Sequence, residues 1–206
     1  VIIQPMTYTT IFFDLDDTLY PHESGLWQAI RGRISLYLHE QLGFDKEEVP
    51  SIRENYFQNY GTTLRGIQAN FDVDEKDYHA YVHQIPLTEY IAPDPNLLAL
   101  LKHLPQRKIV FTSADAEHAE RVLAHMEIRD HFEQIIDIYA VAPHAKPQPK
   151  AFEKALSLAN ENDPSTCVMI DDFPKTTRAA RAFGLFSILK GNKGSIEDAD
   201  AQIQDW

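Results

Sequence analysis

The chain has one cysteine, Cys167, so no intrachain disulfide can form. Cys167 lies in the apolar run Thr166-Cys167-Val168-Met169-Ile170 with no basic residue beside it in sequence, which reads as a small core residue and not a reactive thiol. This usage fits a reduced, cytoplasmic setting. No apolar run approaches the ~18 residues of a membrane span. Residues 1–6 lack the basic and apolar stretches of a signal peptide. Positive charge is scarce: 19 Lys and Arg face 31 Asp and Glu, a formal net charge of -12. Such a chain repels polyanions, which argues against a nucleic acid polymer or an anionic membrane as partner. A small phosphorylated molecule stays compatible, because a bound cation can invert the local field.

What is present is a 206-residue chain with 44% hydrophobic residues, enough for one sizeable domain or a core with a smaller lobe. Thr10-Ile11-Phe12-Phe13 is β-branched and aromatic and stops abruptly at acidic residues, as a buried parallel strand does. The character then changes. Leu26, Ile30, Ile34, Tyr37 and Leu38 recur at helical spacing, with Gly43 as a stop. Ile52, Tyr56, Phe57 and Tyr60 suggest a second helix ended by Gly61, residues 62–70 a third, and Tyr78, Tyr81, Val82 and Ile85 a fourth. From Leu97 onward helices alternate with short apolar strands at Lys108–Phe111, Gln134–Ile136, Cys167–Ile170 and Leu185–Leu189. The tail after Gly191 is polar and low in core residues. Alternation of this kind predicts an α/β fold, a Rossmann-like parallel sheet flanked by helices, with a small all-helical domain inserted after the first strand. The boundaries expected are 1–20 and 100–206 for the core and 21–99 for the insert.

Asp14, Thr112 and Asp171 each stand just past the C-terminal end of an apolar strand. In open parallel sheets ligand sites form at that edge. Asp14 and Asp16, together with Asp171 and Asp172, would crowd four carboxylates there and raise one another's pKa values. A divalent cation with hard oxygen ligands relieves the crowding, and few protein ligands plus substrate phosphate describe a Mg2+ site. Alone, the run Asp14 to Asp17 could equally cap a helix; two acidic groups at the ends of separate strands favour the metal site.

These residues resemble the haloacid dehalogenase-like hydrolases. Phe13-Asp14-Leu15-Asp16-Asp17-Thr18-Leu19-Tyr20 is similar to their first motif, Phe111-Thr112 to the second, Lys146-Pro147-Gln148-Pro149 to the third and Val168-Met169-Ile170-Asp171-Asp172 to the fourth, in order over about Ile11 to Leu189. The resemblance implies that Asp14 is the nucleophile, forming an aspartyl-phosphate, and Asp16 the acid and base. It implies that Thr112, Ser113 and Lys146 bind the phosphoryl group, and that Asp14, Asp16, Asp171 and Asp172 hold Mg2+, Asp16 through its backbone carbonyl. It also implies that the helical insert is a cap closing over the site and choosing the substrate. A dehalogenase would need no acid at Asp16, which argues against that activity.

Asp17-Thr18-Leu19-Tyr20-Pro21 followed by Ser24-Gly25-Leu26, Tyr60-Gly61-Thr62-Thr63-Leu64-Arg65-Gly66, Phe111-Thr112-Ser113-Ala114-Asp115 and Ile91-Ala92-Pro93-Asp94-Pro95 resemble the pyrimidine 5'-nucleotidase-like branch. That implies a nucleoside monophosphate such as UMP or CMP, with Arg65 and Tyr20 as candidate specificity residues. Ser113 and Thr176 depart from the branch, which commonly has Asn at the first and Asn or Asp at the second. A sugar-phosphate phosphatase or a phosphomutase shares every motif. A receiver-like phosphoacceptor or a silent binding scaffold is the non-enzyme alternative; receivers are shorter and carry the phosphorylated Asp on a middle strand. The nine histidines show no zinc-like spacing as a set.

Overall fold

The structure is a computed structural model that describes residues 8–206. The expectation for residues 1–6 lies outside the described residues. The described residues divide into two compact units, one of residues 8–21 with 92–206 and one of residues 22–91.

The first unit is built on a parallel sheet. Its strands are β1 (Thr10–Phe13), β2 (Arg107–Phe111), β3 (Gln134–Ile136), β4 (Cys167–Asp171), β5 (Phe186–Lys190) and β6 (Ala201–Ile203), in the order β3-β2-β1-β4-β5-β6. Every pairing is parallel. β1 is flanked by β2 and β4 and is buried along its whole length, which explains its unbroken apolar run. The polar tail, expected to add little, supplies β6, a strand of only three residues, half-buried throughout.

The helices of this unit are Pro95–His103, Ala116–His125, Pro149–Leu158 and Pro174–Phe183. The first crosses the boundary expected at residue 99 and falls wholly within this unit. Phe152 on the third meets Phe111 of β2 edge-on at 5.9 Å and stacks on Phe183 at 5.9 Å. Both rings belong to a core with Phe12, Ile109, Met169 and Cys167. Burial pushes the Cys167 thiol up to about 11.

The second unit is all helical among the described residues: Leu26–Glu40, Val49–Tyr60, Thr63–Gln68 and Glu75–Val82, with a short 3-10 turn at Leu87–Glu89. Asp74 caps the last helix, accepting from Lys76 N and Asp77 N at 2.8 and 3.0 Å. Its own core holds Tyr37, Leu38, Val49, Leu64, Ile67, Tyr78 and Val82. His79 and His83 are buried, with their rings stacked 5.5 Å apart. No described helix is long and apolar enough to cross a membrane.

Gly66 sits where the second and third helices of this unit touch. A Cβ there would lie 2.3 Å from Tyr56 Cγ and 2.4 Å from Tyr56 Cβ. An alanine would gain about 1 kcal/mol of helix propensity but would overpack the contact at a cost of roughly 1–3 kcal/mol. Because the clash includes an atom bonded directly to the backbone, the second effect wins. Gly66→Ala is expected to lower the urea midpoint; an unchanged or higher midpoint would show that the helices shift apart freely.

Candidate active site

Parallel pairing brings the polar residues together. Phe13 of β1 is in register with Ile170 of β4, so Asp14, just past β1, and Asp171, the last residue of β4, lie side by side at the C-terminal edge. Asp14 N donates to Ile170 O at 2.9 Å and keeps this edge closed. β2 delivers Thr112 on the other side of β1, its N donating to Ile136 O at 3.0 Å.

Lys146 holds the centre. Its side chain is 4% exposed, and its ammonium lies 2.6 Å from Asp14 Oδ1 and 2.8 Å from Asp171 Oδ2. Burial alone would pull this amine down, but the two carboxylates outweigh burial and hold it above its ordinary value, so it stays charged. The Phe111 ring lies 5.2 Å from the same nitrogen.

The carboxylates are raised in turn. Burial lifts Asp14, with Lys146 opposing and Asp16 adding to the rise. Burial lifts Asp171 to about 7, against Lys146 and with Asp14 and Asp172 adding. Burial and the charge of Asp14 lift Asp172 to about 6, opposed by Lys193. Lys193, in the loop after β5, contacts Asp172 and lies 2.7 Å from Asp17 Oδ2.

Thr18 ties the two acidic strand ends to each other. Its hydroxyl donates to Asp14 Oδ2 at 3.1 Å and accepts from Asp172 N at 3.1 Å. Asp17 adopts a left-handed φ of 60°, which turns the chain between Asp16 and Thr18. Trp206 Nε1 reaches back from the tail to Thr18 O at 3.2 Å.

Asp16 has different company. Tyr20 OH donates to Asp16 Oδ1 at 2.6 Å, and His118 Nε2 lies 3.0 Å from the same oxygen. Burial and the charge of Asp16 hold the Tyr20 phenol well above its ordinary value, so it remains a donor. Thr112 is buried and accepts from Ala114 N at 3.0 Å, while Ser113 beside it is exposed.

Arg65 belongs to the helical unit. Its Nη1 meets Glu75 at 2.6 Å and Gln68 at 3.0 Å, while Nε and Nη2 have no hydrogen-bond partner among the described residues. Two residues at the core site escaped the sequence reading, His118 and Lys193. His118 stands in the first turn of a helix, six residues after Thr112, and carries no spacing signal. Lys193 lies in a polar loop like any solvated lysine.

Among the described residues one group has spacing fit for a metal ion: Asp14, Asp171 and Asp172, whose ligand oxygens lie within 4.8 Å of one another. Two ligands opposite each other on Mg2+ lie about 4.2 Å apart, twice the Mg–O distance. The donor set is all carboxylate, and burial, with their neighbours' charge adding, makes Asp171 and Asp172 hold their protons more tightly than usual, which a bound divalent cation would reverse. The residues fit Mg2+.

A Rossmann-like parallel sheet with a buried lysine–aspartate cluster at its C-terminal edge defines the class: an α/β protein of Rossmann-like topology. Residues 8–184 match the model for haloacid dehalogenase-like hydrolases, and the chain belongs to that family. It is 29% identical over 192 residues to Phosphate metabolism protein 8 of Saccharomyces cerevisiae, covering 86% of this chain and 60% of that protein's length. It is 25% identical over 194 residues to fructose-1-phosphate phosphatase YqaB of Escherichia coli, covering 88% and 95%. Among solved structures it resembles the HAD hydrolase YfnB of Bacillus subtilis, determined with bound magnesium, at TM-score 0.62 and 15% identity over 96% of this chain and 94% of that one. That last likeness concerns the fold.

Replacing Lys146 leaves Asp14 and Asp171 buried without their shared cation. Lys146→Met is expected to cost about 3–5 kcal/mol of stability at neutral pH in metal-free buffer. The sign with pH follows from the raised carboxyls: the folded state binds their protons more tightly than the unfolded chain, so stability falls as pH rises. Removing the ammonium raises them further, so the deficit of the variant should grow from about pH 5 to pH 8. Urea unfolding across that range checks it; a deficit that shrinks with rising pH would contradict this assignment of charge.

Proposed function

We propose that this protein is a magnesium-dependent phosphoric monoester hydrolase that works through an aspartyl-phosphate on Asp14. The observation that carries the reading is the unequal company of two carboxylates two residues apart. Asp14 is held by Lys146 and Thr18, while Asp16 is held by Tyr20 and His118. One is anchored beside a lysine ammonium, as suits a nucleophile facing a phosphoryl group. The other is held by a phenol and an imidazole, as suits a group that must give and take a proton. Membership of the hydrolase family supports the same division of labour.

In the first step an oxygen of Asp14 attacks phosphorus. A bond from Asp14 to phosphorus forms, the ester P–O bond breaks, and Asp16 gives its proton to the departing alkoxide. In the second step Asp16 takes a proton from water, whose oxygen attacks the same phosphorus. Inorganic phosphate leaves, and Asp14 returns as a carboxylate. Lys146 and Thr112 steady the phosphoryl oxygens, with the exposed Ser113 beside them, and the positive charge of Lys146 offsets the growing negative charge. Asp14, Asp171 and Asp172, with the backbone carbonyl of Asp16, would hold Mg2+, which when bound neutralises charge on the transferring phosphoryl group.

The substrate we assign is a nucleoside 5'-monophosphate, on the strength of the sequence matches around Asp17–Pro21, 60–66 and 111–115. The helical unit is the part we assign to substrate selection, with Arg65 as its candidate recognition residue. A sugar phosphate is the second reading, favoured by the likeness to a fructose-1-phosphate phosphatase over 95% of that protein's length.

Phosphate release from UMP, CMP and fructose 1-phosphate tests both readings. Turnover should need Mg2+ and fall by more than about 10³-fold in Asp14→Asn, since the nucleophile itself is lost. Magnesium-dependent turnover persisting in that variant would sink the mechanism. Faster turnover of fructose 1-phosphate than of UMP and CMP would overturn the nucleotidase assignment and leave the hydrolase reading standing.

A further inference from the structure

His118 is 1% exposed, and its ring is committed to the carboxylate of Asp16. It comes from a segment 102 residues away in sequence. Its placement is built, not incidental. Asp115 caps the Ala116–His125 helix by accepting from His118 N at 3.0 Å, which fixes where the side chain leaves the first turn. Tyr20, also buried, brings a second donor to the same oxygen at 2.6 Å. One hydrogen bond leaves a carboxylate able to swing about its Cβ–Cγ bond. Two donors arriving from different segments at one oxygen set the plane of the group.

Resting on the hydrolase reading above, we propose that His118 is a positioning residue for proton transfer: with Tyr20 it pins Asp16 by Oδ1, so that the carboxyl is held in the plane from which it delivers the proton to the leaving group and takes it from water. His118 does not touch the substrate. Its effect is confined to steps in which Asp16 moves a proton, and this separates it from a structural histidine. An alkyl phosphate expels a strongly basic alkoxide and needs the proton as the P–O bond breaks. p-Nitrophenyl phosphate expels a weakly basic phenolate and does not. Misplacing an acid by a fraction of its reach therefore penalises the first substrate and spares formation of the intermediate from the second.

The experiment compares presteady-state release of the leaving group from p-nitrophenyl phosphate with that from UMP or fructose 1-phosphate, whichever turns over faster. His118→Ala should slow the first turnover of the alkyl phosphate by about 10- to 100-fold and of p-nitrophenyl phosphate by less than about 3-fold, with KM unchanged. His118→Gln, whose amide reaches about as far as Nε2, should restore most of the alkyl phosphate rate. His118→Asn, polar but too short, should not, and this pair decides the matter if the alanine variant folds poorly. Equal losses on both substrates, a change confined to KM, no loss at all, or Gln and Asn behaving alike would overturn the assignment. If Asp14→Asn keeps its turnover, the hydrolase reading falls and the assignment with it. If Asp14→Asn is dead while His118→Ala slows both substrates equally, this assignment alone falls.

Discussion

The ammonium of Lys146, buried between Asp14 and Asp171, is the contact on which the site depends. Parallel pairing of β1 with β4 brings two carboxylates to the sheet's C-terminal edge at the same level, and Asp172 adds a third. Without a cation, these groups could share the edge only by taking up protons, which would abolish nucleophilicity at Asp14. Lys146 opposes the burial that raises Asp14, and burial makes the attraction between them strong. Lys193 does a weaker version of the same for Asp172 and Asp17, from a loop that is partly open to solvent.

The same edge separates two chemically identical side chains by their neighbours. Asp14 receives a cation and the Thr18 hydroxyl; Asp16 receives the Tyr20 phenol and the His118 imidazole. The left-handed turn at Asp17 lies just beyond them, and Thr18 then links the turn to β4 through Asp172 N. The motif Asp-x-Asp-x-Thr is thus a small folded unit, in which the threonine closes the loop and the second aspartate is turned toward α-helical residues that follow Thr112.

Much of this was legible in the sequence because it rests on local patterns. β1, β2 and β4 are unbroken apolar runs that end at polar residues, and the sheet rule alone brings Asp14, Thr112 and Asp171 to one edge. Lys146 was found only through the order of the motifs, since a lysine in a proline-rich loop looks solvated. β6 was missed because Ala-Gln-Ile is half-buried and too short for its alternation to stand out in a polar tail. His118 and Lys193 were missed because their role depends on tertiary approach across 102 and 21 residues, to Asp16 and Asp172 respectively. Arg65 was visible as a fork of donors, but its partner Glu75 ten residues on was not.

The central claim is that Asp14 forms a bond to phosphorus. It is tested most directly in the Asp16→Asn variant with p-nitrophenyl phosphate and Mg2+. That substrate needs no acid for its leaving group, while hydrolysis of the intermediate has lost its base, so the intermediate accumulates. After an acid quench, peptide mass mapping should find one added phosphoryl group on the peptide that carries Asp14. Release of p-nitrophenol with no phosphoryl group on the protein, or with the group on any other residue, would contradict the account.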